Sequence, residues 1–182
     1  MPSKLHLAVV LASALAFVSC NQTPNRVHTE GSGHAVLSPI GDVATYKPRL
    51  RQLVYVPIYS SIYWGADGQI SELSATLSIR NVSTRHALVV HSVKYFDSAG
   101  KLVREYVPAP GSLGAMAAAD FVIQRRDTTG GPGASFLVDW SSAEDIDSPV
   151  IEAIMVGQHG NAGISFSSHG RPLSKASGDL VP

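Results

Sequence analysis

From Glu72 to Val82 polar and apolar residues take turns. Leu73, Ala75, Leu77 and Ile79 fall on one parity; Glu72, Ser74, Thr76, Ser78 and Arg80 fall on the other. A period of two sends alternate side chains to opposite faces of an extended chain. This run is therefore a strand with one buried and one wet side.

The same kind of signal recurs along the chain. Residues 53–59 are rich in β-branched and aromatic side chains. Pro57 among them lacks a backbone donor, which predicts an edge strand or a bulge. Residues 87–97 follow, with Val93 and Tyr95 inward. Asp97-Ser98-Ala99-Gly100 then reads as a type I turn with Asp first and Gly at the left-handed position, making 101–107 the antiparallel partner. Pro108-Ala109-Pro110-Gly111 stops it. Residues 119–125 and 134–140 are further strands, and Phe136, Val138 and Trp140 share one face where a large ring can anchor a core. Residues 150–156 are apolar at almost every position, which predicts a central strand covered on both sides. Residues 163–168 close the set with Ile164 and Phe166 inward. Residues 115–119 could make one helical turn, but no convincing amphipathic helix is present. Short strands at regular spacing, with 16 Gly and 11 Pro between and around them, predict a mainly β fold. We expect an antiparallel immunoglobulin-like β-sandwich, with a closed barrel as the alternative.

The N-terminus has a different character. Lys4 precedes an almost unbroken run of apolar and small residues at 5–17, and Val18-Ser19 leads to Cys20, the chain's one cysteine. Charge, short apolar run, small residues and then a cleavage point is the order of a removable targeting segment. The run is shorter than the roughly 20 residues of a membrane-spanning helix. With a cysteine at the junction, the order resembles a bacterial lipoprotein export signal. A thioether-linked lipid on Cys20 would explain an unpaired cysteine in an exported chain, where it has no intrachain partner. Each buried CH₂ contributes about 0.8 kcal/mol, so the several acyl chains of such a lipid give lasting attachment. Asn21 and Gln22 lack the aspartate that commonly retains lipoproteins at the inner membrane, so that sorting rule implies the outer membrane. The expected layout is a signal peptide at 1–19, a lipidated N-terminus and flexible tether at 20–52, one domain at 53–171 and a polar tail at 172–182. Lys47, Arg49 and Arg51 form a small basic cluster at the tether's end, read as a solvated face that could also touch anionic headgroups.

The stretches VYVPIYSSIYWG at 54–65, LSIRN at 77–81, VKYFDSAGKLVREY at 93–106, FVIQRRDTTGGPGASFLVDW at 121–140 and VIEAIMVGQHGNAGISFSSHGR at 150–171 resemble an uncharacterised bacterial family, domain of unknown function 3124. Its members are often predicted lipoproteins. The resemblance implies one domain in an exported protein and transfers no activity.

Composition excludes some partners. The 14 basic and 14 acidic residues balance, and no basic run suits nucleic acid. Three groups of residues could carry chemistry. The first is the glycine-rich loop at 125–133, where Arg125 and Arg126, beside Asp127, could clamp a carboxylate or phosphate. No Gly-Lys-Ser/Thr follows, so it is not a phosphate loop. The bland alternative is a long hairpin in which Arg126 pairs with Asp127 or another carboxylate. The second is the aromatic set Tyr55, Tyr59, Tyr63 and Trp64, with Tyr55 and Tyr59 on one strand parity. Exposed, it would stack a sugar or peptide-stem ligand; buried, it would fill the core. The third is histidine. On a regular strand His86 and His91 face opposite ways, with His91 inward beside Val93 and Tyr95. His159 and His169 lie in or near loops, and no metal-ligand spacing is present. Asp120, Asp127, Asp139 and Glu152 are candidate carboxylates. No Gly-x-Ser-x-Gly or His-Glu-x-x-His occurs, and no cofactor is called for.

The expected function is a lipid-anchored protein of the bacterial cell envelope, facing the periplasm from the outer membrane. Its non-catalytic sandwich would bind or brace an envelope protein or polymer. The alternative is a small periplasmic hydrolase or metal-dependent enzyme using dispersed carboxylates and histidines, which a pocket uniting His159 or His169 with two carboxylates would favour.

Overall fold

The computed structural model describes residues 37–40 and 45–173. The expected signal segment, Cys20, most of the tether and nearly all of the tail lie outside the described residues.

Among the described residues twelve strands form two antiparallel sheets packed together, the sandwich expected from the alternating pattern. The first sheet runs β1 (Ser38–Pro39), β7 (Gly111–Leu113), β5 (Leu88–Phe96), β9 (Ser135–Ser142), β2 (Leu50–Pro57) and β12 (Arg171–Pro172), with β6 (Leu102–Glu105) also paired to β5. The second runs β11 (Ala162–His169), β10 (Val150–His159), β4 (Gln69–Arg80) and β3 (Ser61–Trp64), with β8 (Ala118–Ile123) also paired to β4.

The core is what the parities dictate. Leu73, Ala75, Leu77 and Ile79 of β4 are buried against Val54, Val56, Val93, Tyr95, Phe136, Val138 and Trp140 from the facing sheet. Each large apolar side chain removed from water contributes about 1.5–3 kcal/mol, which is why the wet and dry parities cannot be exchanged. The turn after β5 also follows its sequence: Asp97 Oδ1 accepts from the Ala99 and Lys101 amides at 2.9 and 2.8 Å, and Gly100 has φ 77°.

Five local expectations are corrected. Residues 115–119 form no helix: Met116 turns the chain at φ 57°, and the backbone from Ala118 onward is taken up by pairing with β4. Strand β10 is central, but only one of its faces is covered. Val150, Ile154 and Val156 remain 43%, 42% and 49% exposed beside the Ser and Thr side of β4. Pro57 is not on a simple edge strand. Strand β2 lies between β9 and β12, yet β12 reaches only Val54 and Tyr55, so Pro57 sits where that flank is open and its carbonyl accepts from Ser168 Oγ. His91 does not point inward with Val93 and Tyr95. A bulge between Val90 and Ser92 keeps Leu88, Val90, Val93 and Tyr95 inward and turns His91 to the other side. The glycine-rich loop is no hairpin, because β8 belongs to one sheet and β9 to the other.

Chain in the segment read as tether is also engaged. Strand β1 pairs with β7, and β2 starts at Leu50. The basic cluster divides: Arg51 is an ion-pair partner of Asp139, while Lys47 and Arg49 are exposed. At the other end, the chain passes from β11 in one sheet to β12 in the other through Gly170. A side chain there would meet Val54 Cγ1 at 2.7 Å and the Ile151 carbonyl at 2.9 Å.

Candidate functional site

Strand β8 ends at Ile123, and the chain turns at Arg125 and Arg126 before crossing to β9. The turn stands beside β6, and together they enclose a recess of about 340 Å³ lined by Val103, Arg104, Gln124, Arg126, Asp127, Thr128 and Thr129. Arg104 is held from three directions. Its Nη1 donates to the Tyr106 hydroxyl at 3.2 Å, its Nη2 to Asp127 Oδ2 at 3.4 Å, and its guanidinium stands 5.4 Å from the Tyr106 ring centre. The Tyr106 hydroxyl donates in turn to the Val122 carbonyl at 3.1 Å. Asp127 is held by the Thr129 amide at 3.3 Å and by the Thr129 hydroxyl. Burial raises the pKa of Tyr106 above its ordinary value against the lowering effect of Arg104. That phenol is a fixed neutral strut.

Of the residues singled out in this loop, Arg126 and Asp127 line the recess and Arg125 does not. Arg126 is exposed and makes no hydrogen bond or ion pair among the described residues, so the bland Arg126–Asp127 pairing is absent; Asp127 serves Arg104. Arg104 and Tyr106 were not anticipated. Their signal was nevertheless present: two positions apart in the strand expected at 101–107, they fall on one parity.

The aromatic set is dispersed. Tyr55 stands on β2 opposite Leu137, Tyr59 meets Phe166 edge-on at 5.5 Å, and Trp64 stacks on His159 at 5.0 Å. Tyr63 is 68% exposed. No shared platform is formed by these contacts. The histidines are equally dispersed. His169 Nδ1 lies 3.7 Å from Glu152, which Arg80 also approaches at 3.7 Å. Among the described residues no three His, Cys, Asp or Glu side chains are grouped to hold a metal ion.

A serine, a histidine and an aspartate do meet under the N-terminal segment. His91 Nε2 lies 2.7 Å from Ser141 Oγ, which lies 3.1 Å from the Tyr46 hydroxyl. Asp139, however, is taken by Arg51, whose Nε and Nη2 donate to its two oxygens at 3.0 and 2.6 Å. Ser141 is fully buried. With its carboxylate committed elsewhere and its hydroxyl shielded, the trio lacks the geometry of a nucleophilic triad. It is a clasp that holds Tyr46 onto the first sheet.

Fold and site together define an antiparallel β-sandwich with an arginine-lined recess at a crossing between its sheets. Over residues 51–173 the chain matches the family described as Protein of unknown function (DUF3124), and it belongs to that family. No curated protein matches it. Among solved structures, Thermotoga maritima 1070 is similar, at a TM-score of 0.40 and 11% identity over 66% of this chain and 92% of that one. A likeness of that size carries no functional argument.

Proposed function

We propose that this chain is a lipid-anchored protein of the bacterial cell envelope, held by Cys20 in the outer membrane facing the periplasm. Its sandwich is a non-catalytic module that binds a partner protein or envelope polymer through the loop after β8. The observation that carries the binding half is the recess: one arginine fixed by Asp127 and Tyr106, and a second lining arginine, Arg126, that makes no hydrogen bond or ion pair among the described residues. The order of residues up to Cys20 supports the anchor.

Two measurements test it. Intact mass of the protein from a membrane fraction, beside a Cys20→Ser control, reads the anchor; an unlipidated chain in the soluble fraction removes it. Crosslinking in envelope fractions with Arg125→Ala and Arg126→Ala reads the surface. Unchanged capture of every partner means that the loop is not the binding face.

A further inference from the structure

We propose that the recess between β6 and the loop after β8 binds a sugar acid, a ligand presenting one carboxylate beside hydroxyl groups. This rests on the binding-module reading and specifies its ligand. The ionisable residues lining the recess are Arg104, Arg126 and Asp127, one positive charge in excess. Arg104 is already matched by Asp127, so the free charge is that of Arg126. A monoanion balances it. A phosphate, nearer two charges at neutral pH, does not. The planar guanidinium fork also matches a carboxylate with two parallel bonds.

The rest of the lining suits the remainder of such a ligand. Gln124 and Thr128 are neutral groups able to donate to and accept from hydroxyls, and Val103 offers an apolar wall for ring carbons. Arg104 is fixed before any ligand arrives, which limits the ordering cost of binding, and its Nε makes no hydrogen bond among the described residues. A volume of about 340 Å³ stands at the small end of ligand sites, enough for a short saccharide rather than a folded partner.

The test is a titration of the ¹⁵N-labelled chain with three probes: a galactose trimer whose terminal unit is oxidised to a single galacturonate (the acidic trimer), the neutral galactose trimer and inorganic phosphate. The expected result is that the acidic trimer shifts the Thr128 and Thr129 amides and the Nε signals of Arg104 and Arg126. The neutral trimer and phosphate bind at least about tenfold more weakly. Arg126→Gln weakens the acidic trimer about tenfold, while Arg171→Gln, an exposed change on β12, does not. Equal binding of the neutral trimer, tighter binding of phosphate, no binding of the acidic trimer, or an unaffected Arg126→Gln variant each overturns the assignment. If the titration fails while Arg126→Ala still loses partners in the crosslinking, the binding-module reading survives with a different ligand. If both fail, the loop is not a site.

Discussion

Asn81 shows how one side chain can join three segments. It is 2% exposed, and its amide nitrogen donates toward the carbonyls of His86, Leu113 and Gly114 at 2.9, 3.1 and 2.9 Å, while its oxygen accepts from the Ser83 amide at 3.0 Å. Asn81→Ala leaves those groups unpaired, and chemical denaturation should register a loss of about 2 kcal/mol. Part of this was legible. Asn81 continues the parity of Leu73, Ala75, Leu77 and Ile79, so the alternation itself places a polar residue on the dry side. Which carbonyls it meets was not legible, because they come from segments joined only by folding. A second residue-scale case is Gly130, whose φ of −73° any residue could adopt. A methyl group there would stand 2.0 Å from the Tyr95 hydroxyl and 2.8 Å from Ala134 Cβ. Gly130→Ala should therefore cost about 1–3 kcal/mol by overpacking, and adding Tyr95→Phe should recover part of it in a double-mutant cycle.

At the scale of an element, the bulge in β5 makes the outer face of the first sheet sensitive to pH. His91 faces Tyr46 from the N-terminal segment, Arg51 from β2, and Asp139 and Ser141 from β9. Its pKa is held below the ordinary 6.5, by burial first and by Arg51 second, against the pull of Asp139. The unfolded chain then binds a proton more readily than the folded one. Stability should fall as pH drops through about 6.5 and level off below the folded-state value. Urea midpoints taken between about pH 7.5 and pH 5 should show this fall, and His91→Gln should flatten that part of the curve. Tyr46→Phe keeps the ring and removes the hydroxyl that reaches Ser141, so hydrogen exchange in residues 45–50 should quicken while the core amides keep their protection. Neither His91's facing nor the engagement of Tyr46 could be read from residue order. A bulge reverses parity without a sequence mark here, and the segment before Leu50 has no apolar period to announce that it is engaged. The same limit applied to β10. Continuous apolar residues predicted cover on both sides, whereas Val150, Ile154 and Val156 face outward with none.

For the whole molecule, the two sheets and most of their strands followed from period and turn residues, since burying one parity of each strand leaves few arrangements. The recess followed only in part. Arg126 and Asp127 were found because glycines and arginines crowd one loop. Arg104 was missed because its role depends on β6 lying beside that loop, a pairing between parts of the chain about twenty residues apart. The N-terminal segment has a further meaning when force is considered. A pull on the chain ahead of Leu37 first loads the two-residue pairing of β1 with β7, then the contact of Tyr46 with Ser141, and only then β2, which is paired to β9 over eight positions. Fully extended, the 13 residues from 37 to 49 reach at most about 45 Å, so their release lengthens the chain ahead of β2 before β2 is strained. The order of contacts is that of a fuse: the weak outer link yields first, while the eight-position pairing of β2 with β9 still holds.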